Sequence, residues 1–172
     1  YSVVADNLGR ARHIAINTNG DVYVKLERLK DGKGIYRLRD INGDGQADDI
    51  QGFANYTGTG MAIKNGYLYA SSNSAVFRYK LDAKGAVDTT SAELLVSGLI
   101  DKRQHASKSL ALDNAGNIYV NIGAPTNICQ EEDRKKGSPG RNPCPVLDSA
   151  GGIWMFRTDK QNQSYGNGVR YA

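Results

Sequence analysis

HIAINTNGDVYV at residues 13–24, GMAIKNGYLYA at residues 60–70 and SLALDNAGNIYV at residues 109–120 share one pattern. Each stretch alternates apolar and polar residues, passes through a polar turn that contains glycine, and alternates again, which is typical of a β-hairpin. The tyrosines Tyr23, Tyr69 and Tyr119 fall at equivalent positions of the three stretches. A unit that recurs about every 50 residues indicates a repeat architecture, so this repeat predicts the fold.

Further strand-like segments follow each hairpin. GIYRLRD, AVFRYKL and GIWMFRT begin at Gly34, Ala75 and Gly152, while DIQGFA and AELLVSGL supply a fourth strand in the first two units. No segment has the periodicity of a long amphipathic helix. We therefore predict an all-β fold of β-propeller blades, each with four antiparallel strands, in units at about residues 10–57, 58–100 and 101–172.

Three blades do not make a closed ring, because propellers close with about four to eight blades. We expect the chain to form about half of a larger propeller that continues beyond its last residue. The alternative is an assembly of two or more such chains.

The composition is that of an ordinary globular domain. The chain has 172 residues, of which 40% are hydrophobic and 23% are charged. Its apolar runs are far shorter than the ~20 residues that span a bilayer, and its first residues lack a signal-peptide pattern. The net charge of +4 comes from scattered Lys and Arg without a recognition motif. We therefore expect neither a membrane span nor a nucleic-acid partner.

The two cysteines, Cys129 and Cys144, bracket the polar loop QEEDRKKGSPGRNP. Because no histidine lies nearby, a disulfide is favoured over a metal site. Closing a loop of this length contributes ~3 kcal/mol to stability in the chain-entropy model. A disulfide implies an oxidising compartment, so we expect the protein to be periplasmic or secreted.

Oxygen-bearing residues alternate in RDINGDGQADDI, residues 39–50. This spacing around two glycines is that of an EF-hand calcium loop, although Gln51 stands at the position of the bidentate glutamate and the flanking segments are strand-like. We predict a calcium loop between strands, with Gln46 contributing its carbonyl and with side-chain ligands from Asp40, Asn42, Asp44 and Asp48. The alternative that stays open is a metal-free, solvated turn.

The chain contains two histidines, His13 and His105. A structural role is favoured for His13, at the entrance of an inner strand. His105 directly precedes the inner strand of the third unit, beside the channel where propellers bind ligands. Because imidazole titrates near neutral pH, His105 is the best candidate for a general base. No nucleophile motif accompanies it, which argues against a serine hydrolase.

Three segments carry a resemblance to a known family: QHASKSLALDNAGNIYVNIGAPTNIC (104–129), GSPGRNPCPVLDSAGGIWMF (137–156) and YGNGVRYA (165–172). Together with the blade openings ARHIAINTNGDVYV and GTGMAI, they resemble the glucose/sorbosone dehydrogenase family of pyrroloquinoline quinone (PQQ) enzymes, particularly its sorbosone dehydrogenase-like branch. The resemblance spans nearly the whole chain. It implies a six-bladed propeller with PQQ in the central depression of one face.

The resemblance also implies roles for individual residues. His105 matches the family's general base, which takes the substrate hydroxyl proton while a hydride passes to PQQ. Asn55 falls near the position of a polar side chain that contacts the cofactor. Since PQQ carries three carboxylates, Arg103 and Lys108 beside His105 are expected to contribute positive charge. The family's other cofactor residues follow the GVRYA segment, so this chain alone is expected to be incomplete and inactive.

We therefore predict a fragment of a quinoprotein oxidoreductase that oxidises a sugar or a related alcohol or aldehyde, with PQQ and calcium as cofactors. The expected partners are the small-molecule substrate, an electron acceptor such as a cytochrome, and the remainder of the propeller or another chain. Two alternatives stay open: a non-catalytic, calcium-stabilised propeller that binds glycans or proteins, and a lactonase-type propeller. The surroundings of His105 distinguish them.

Overall fold

Short antiparallel strands form three sheets in this computed structural model, which describes residues 2–102 and 104–171. The first sheet has the order β1-β2-β3-β4 and consists of Ala11–Ile16, Val22–Lys30, Lys33–Arg39 and Asp49–Phe53. Each strand pairs with the one before it, so this sheet is a meander.

The second sheet repeats this arrangement with β5 to β8, which are Met61–Lys64, Tyr67–Ser71, Val76–Lys80 and Glu93–Ser97. The third contains β9 (Leu110–Leu112), β10 (Asn117–Ile122), β11 (Gly152–Arg157) and β13 (Val169–Tyr171). The short strand β12, Gln163–Ser164, pairs in parallel with β8 and so adds a fifth strand to the second sheet. This link between the second and third sheets was not predicted from the meander pattern.

Local turn chemistry explains the hairpins. Between β5 and β6, Asn65 and Gly66 have φ angles of 49° and 76°. Both lie in the left-handed region that a two-residue type I′ turn requires, and Asn-Gly is the dipeptide that favours this turn. The turn therefore sets the register in which Ala62 pairs with Tyr69.

The sheets pack face to face, as neighbouring propeller blades do. Strand β1 contacts β5, and β5 contacts β9, so these are the inner strands. One core cluster joins the first two sheets through Tyr23 and Phe53 against Leu68 and Tyr79. A second joins the second and third sheets and contains Val76, Leu95, Val96, Ile118, Val120 and Trp154. The predicted all-β fold with three sheets of about four strands is confirmed.

The strands separate two faces of the molecule. Arg12, Thr59 and Ser107, at the starts of the three inner strands, line one groove, so these strands begin at the same face. This upper face carries segments 54–60, 72–75, 98–109 and 123–151. The lower face carries the hairpin turns that follow the inner strands and the loop at residues 40–48. Within the described residues, no helix is both long and apolar enough for a membrane span.

Candidate active site

The upper face brings together several residues that the sequence singled out. Asn55 lies in segment 54–60, His105 and Lys108 lie in segment 98–109, and both cysteines lie in segment 123–151. The predicted calcium loop follows β3 at the lower face, at the opposite end of the strands. Arg103, which was predicted to bind the cofactor, lies outside the described residues.

One ring nitrogen of His105 is held by the backbone of the neighbouring loop. Its Nδ1 lies 2.6 Å from the carbonyl oxygen of Ala124. A carbonyl only accepts hydrogen bonds, so Nδ1 carries the proton and Nε2 of the neutral ring carries the lone pair. The side chain is exposed, and within the described chain Nε2 has no hydrogen-bond partner. Nε2 can therefore accept a proton from a bound hydroxyl group.

Gly123 allows the close packing that holds His105. A Cβ atom at residue 123 would lie 2.5 Å from the Cβ of His105 and 2.7 Å from its carbonyl oxygen, closer than real Cβ contacts. His105 itself has φ of 50°, in a region that residues other than glycine seldom adopt. Sequence analysis missed Gly123, because only the folded backbone brings the end of β10 against His105.

A polar depression of about 660 Å³ surrounds His105 and is also lined by Gln104, Asp133 and Arg134. The Gln104 amide donates to the Asp133 carboxylate, while its carbonyl oxygen accepts a bond of 2.9 Å from Nε of Arg134. The other Asp133 oxygen accepts the backbone N–H of Asn127 at 2.8 Å. The bond from Asn127, aided by Gln104 and by the Arg134 charge, lowers the pKa of Asp133 and keeps it ionised.

A smaller groove of about 200 Å³ lies where the inner strands begin. Its lining is mostly neutral and polar and consists of Arg12, Glu27, Thr57, Gly58, Thr59, Asn73 and Ser107. Arg12 is exposed and brings a permanent positive charge to this groove. Sequence analysis missed Arg12, because its position depends on how three blades meet.

Asn55 and Lys108, both predicted to contact a cofactor, have different surroundings. Asn55 is exposed and lines a depression of the upper face with Thr57 and Asn73, which also line the small groove. Lys108 is fully buried, its amine donates to the carbonyl of Ala106, and burial lowers its pKa. A contact between Lys108 and a cofactor carboxylate would require that bond to break. Both cofactor roles stay predictions.

Lys25 is a buried amine that sequence analysis missed. Its Nζ has no hydrogen-bond partner within the described chain and lies 4.4 Å from the centre of the Tyr56 ring. Burial lowers the pKa of Lys25 from 10.5 to about 7.

Lys25 was missed because strand β2 alternates apolar and polar residues like a strand with one solvated face. In the fold both of its faces are covered, since Tyr23, Val24, Lys25 and Leu26 are all buried.

The predicted calcium loop folds around its own polar side chains. Asp40 accepts backbone N–H groups from Gly45 at 2.8 Å and from Gly43 at 2.6 Å, and these bonds lower its pKa. Asn42 and Asp44 accept the N–H groups two residues further on. The Asp48 carboxylate accepts from the backbone N–H groups of Ile41 and Asn42.

These hydrogen bonds would form in a tight turn whether or not the loop binds a metal, so they do not distinguish the two possibilities. Within the described residues, no three His, Cys, Asp or Glu side chains come close enough to hold a metal ion. Asn42 and the Gln46 carbonyl are oxygen ligands outside that set of residue types. The calcium site therefore stays a prediction.

Cys129 and Cys144 are joined in a disulfide. Between them Gln130 pairs with Gly140, and the backbone N–H of Arg141 donates to the Cys129 carbonyl at 3.0 Å. The Gln130 side chain accepts the backbone N–H of Arg134 at 3.0 Å. The disulfide thus closes the base of the hairpin that carries Asp133 and Arg134 to His105.

Alkylation with and without prior reduction tests this disulfide. We expect no labelled thiol in native protein and one label on each cysteine after reduction, because the structure leaves no free cysteine among the described residues. Replacing both cysteines by serine should lower the free energy of unfolding by ~3 kcal/mol, measured by urea denaturation. Two alkylatable thiols in exported native protein would contradict the expectation.

A protein-family model described as TrAA12-like matches residues 1–162. The chain belongs to the TrAA12-like family. No curated protein matches this TrAA12-like chain. The predicted resemblance is confirmed as membership of the TrAA12-like family and as a match in fold to PQQ sugar dehydrogenase propellers.

Solved structures show the same fold. The calcium structure of a Trichoderma reesei protein of carbohydrate-active enzyme family AA12 is 20% identical, with a TM-score of 0.70, over 97% of this chain and 41% of that chain. The holo form of the pyranose dehydrogenase PQQ domain from Coprinopsis cinerea is 16% identical, with a TM-score of 0.71, and the match covers 97% of this chain and 39% of that chain. The PQQ-bound aldose sugar dehydrogenase from Streptomyces coelicolor is 19% identical, with a TM-score of 0.50, and the match covers 92% of this chain and 47% of that chain. The TrAA12-like chain therefore spans less than half the length of each of these proteins.

Proposed function

We propose that this chain is part of a PQQ-dependent oxidoreductase that oxidises a sugar or a related alcohol or aldehyde. The proposal rests on the arrangement of His105: Nδ1 donates to the Ala124 carbonyl, Nε2 has no partner in the described chain, and the side chain lines the open depression. The family membership and the PQQ-containing structures of the same fold support the cofactor.

His105 acts as the general base in this proposal. The proton of the sugar hydroxyl passes to Nε2 as the O–H bond breaks, and the carbon–oxygen double bond forms as the C–H bond breaks. PQQ, when bound, would supply the acceptor for the hydride and its two electrons. The imidazolium that results keeps its hydrogen bond to Ala124, and the nearby Asp133 carboxylate stabilises its charge.

The residues of the upper face fit one flank of the cofactor. Arg12 provides a fixed positive charge for a carboxylate, which Glu27 of the same groove offsets in part, and Asn55 and Asn73 provide amides for neutral hydrogen bonds. Three carboxylates require more positive groups than these, so we propose that other blades complete the site.

The exposed faces of the first and third sheets support a larger propeller. Ile14 and Ile16 on inner strand β1 are 57% and 66% exposed, and Ile153, Val169 and Tyr171 on the third sheet are also exposed. Apolar side chains in such rows are covered in a closed propeller by the neighbouring blade. We propose that further blades cover both faces, so activity and PQQ binding are to be measured on the complete propeller.

A sugar-oxidation assay tests the proposed function. The complete propeller, supplied with PQQ and calcium, should reduce an artificial electron acceptor in the presence of a simple aldose and should not do so without PQQ. The disulfide supports action in an oxidising compartment, where an electron acceptor such as a cytochrome would serve. Absence of turnover with every sugar in a broad panel would favour the glycan- or protein-binding propeller instead.

We also propose that the loop at residues 40–48 binds one calcium ion. Asp40, Asn42, Asp44 and Asp48 would contribute side-chain oxygens and Gln46 its carbonyl. Calorimetric titration of chelator-treated protein should give a dissociation constant in the micromolar to millimolar range, and Asp44→Ala should abolish the heat of binding. Asp6→Ala, at an exposed carboxylate outside the loop, serves as the control. If no heat is detected, or if Asp44→Ala binds as well as wild type, the loop is a metal-free turn.

A further inference from the structure

The disulfide-closed hairpin reaches the His105 depression through two residues of opposite charge, Asp133 and Arg134. Gln104, the residue before His105, bridges them by donating to the Asp133 carboxylate and accepting from Nε of Arg134. This bridge fixes the two side chains to the same backbone segment that carries the general base. The pair is therefore positioned relative to the base before any ligand binds.

The Arg134 guanidinium keeps hydrogen-bond donors available for a ligand. Its Nε bonds to Gln104, while within the described chain no partner is found for its two terminal guanidinium nitrogens. Its backbone has φ of 59° and is held there by the Gln130 side chain, next to the disulfide. A guanidinium edge on a fixed backbone offers two parallel donors with a defined direction.

Asp133 complements these donors with an acceptor. Each of its oxygens takes one hydrogen bond from the protein, and each carboxylate oxygen has lone pairs for a second. The hydrogen bond from Asn127 keeps the group ionised. Since the two charges cancel, the pair suits a neutral polyol better than an anionic ligand.

We propose that Asp133 and Arg134 bind two neighbouring hydroxyl groups of a neutral monosaccharide and thereby select which hydroxyl reaches Nε2 of His105. Arg134 donates to the oxygen of one hydroxyl, and Asp133 accepts the proton of the next. This inference rests on the proposed function and names two residues that position its substrate. The loop closed by the disulfide thus determines specificity, whereas His105 performs the proton transfer.

Steady-state kinetics of Arg134→Ala in the PQQ-loaded complete propeller test the inference. A hydrogen bond from a charged donor is lost, so KM for a neutral aldose should rise by about 10- to 100-fold, while kcat should change by less than about threefold. Arg134→Lys should restore only part of the loss, because lysine keeps the charge but not the paired donors. Lys136→Ala, an exposed cation in the same hairpin, is the matched control and should behave as wild type.

A deoxy sugar that lacks the hydroxyl bound by Arg134 provides a second, independent test of this contact. In wild type its KM should exceed that of the parent sugar, and in Arg134→Ala this difference should largely disappear, because both changes remove the same contact. Unchanged disulfide content and unfolding midpoint of Arg134→Ala establish that the variant is folded. If wild type turns over sugars and Arg134→Ala has an unchanged KM, the inference is wrong and the proposed function stands. If wild type itself shows no PQQ-dependent turnover, the proposed function is wrong and the inference falls with it.

Discussion

Replacing His105 by alanine is expected to lower kcat for sugar oxidation by about 10²- to 10⁴-fold, the usual contribution of a positioned general base. The variant removes Nε2, the ring nitrogen that the hydrogen bond from Nδ1 to Ala124 leaves able to accept a proton, from a side chain that lines the open depression. Because the imidazole is not proposed to hold the cofactor, PQQ affinity should stay within a few-fold of wild type. The measurement is steady-state turnover together with a PQQ titration of the same preparation.

His13→Ala is the matched control, because His13 is the only other histidine and lies exposed on β1. It should retain wild-type turnover. A His105→Ala variant that binds PQQ and oxidises sugars at the wild-type rate would remove His105 from the mechanism. Loss of PQQ binding in His105→Ala would instead make His105 a cofactor contact.

Replacing Lys25 by methionine is expected to stabilise the fold at pH 6 by about 2–5 kcal/mol. The buried amine has no hydrogen-bond partner in the described chain, and the Tyr56 ring compensates its charge only in part. Its pKa falls from 10.5 to about 7 on burial, and each pKa unit corresponds to about 1.4 kcal/mol. Methionine keeps the apolar stem and removes the charge. Urea unfolding of both proteins measures the difference.

The sign of the pH dependence follows from the lowered pKa of Lys25. Between pH 7 and 10.5 the amine is protonated in the unfolded chain and largely neutral in the folded one, so stability rises with pH across this window. Below pH 7 the amine is charged in both states and its full cost is present. The advantage of Lys25→Met should therefore shrink steadily from pH 7 to pH 10.5.

Lys80→Met is the control for this comparison, because Lys80 is exposed on β7 and its charge is solvated. It should change the free energy of unfolding by less than about 0.5 kcal/mol at every pH. If Lys25→Met were destabilising at pH 6, or if its effect were the same at pH 6 and pH 10, the buried amine would not be the costly group described above.

The hairpin repeat predicts most of the fold because both of its signals are local. Alternation of apolar residues marks the strands, and turn dipeptides such as Asn65-Gly66 set their register. Strand β12 was missed for the opposite reason. Gln163 and Ser164 are two polar residues whose pairing with β8 depends on the return of the chain from the third sheet to the second.

In the candidate site, too, residues with a local sequence signal could be predicted, whereas residues placed by the tertiary fold could not. His105 was predictable because it directly precedes an inner strand and because imidazole can act as a base near neutral pH. Gly123 and Arg134 carry no signal of their own, since glycines and arginines are common in polar loops. Their relation to His105 arises only when the backbone of residue 123 packs against it and when the disulfide hairpin folds back to Gln104.

The role of His105 in PQQ reduction can be measured by anaerobic mixing of the PQQ-loaded complete propeller with a neutral aldose, followed through the absorbance of the cofactor. We expect the sugar to reduce bound PQQ within a single turnover in wild type, and we expect the same reaction to be slowed about 10²- to 10⁴-fold in His105→Ala at equal PQQ occupancy. A protein that binds no PQQ, or one in which both variants reduce it at the same rate, would contradict the claim that His105 is the base of a PQQ-dependent sugar oxidation.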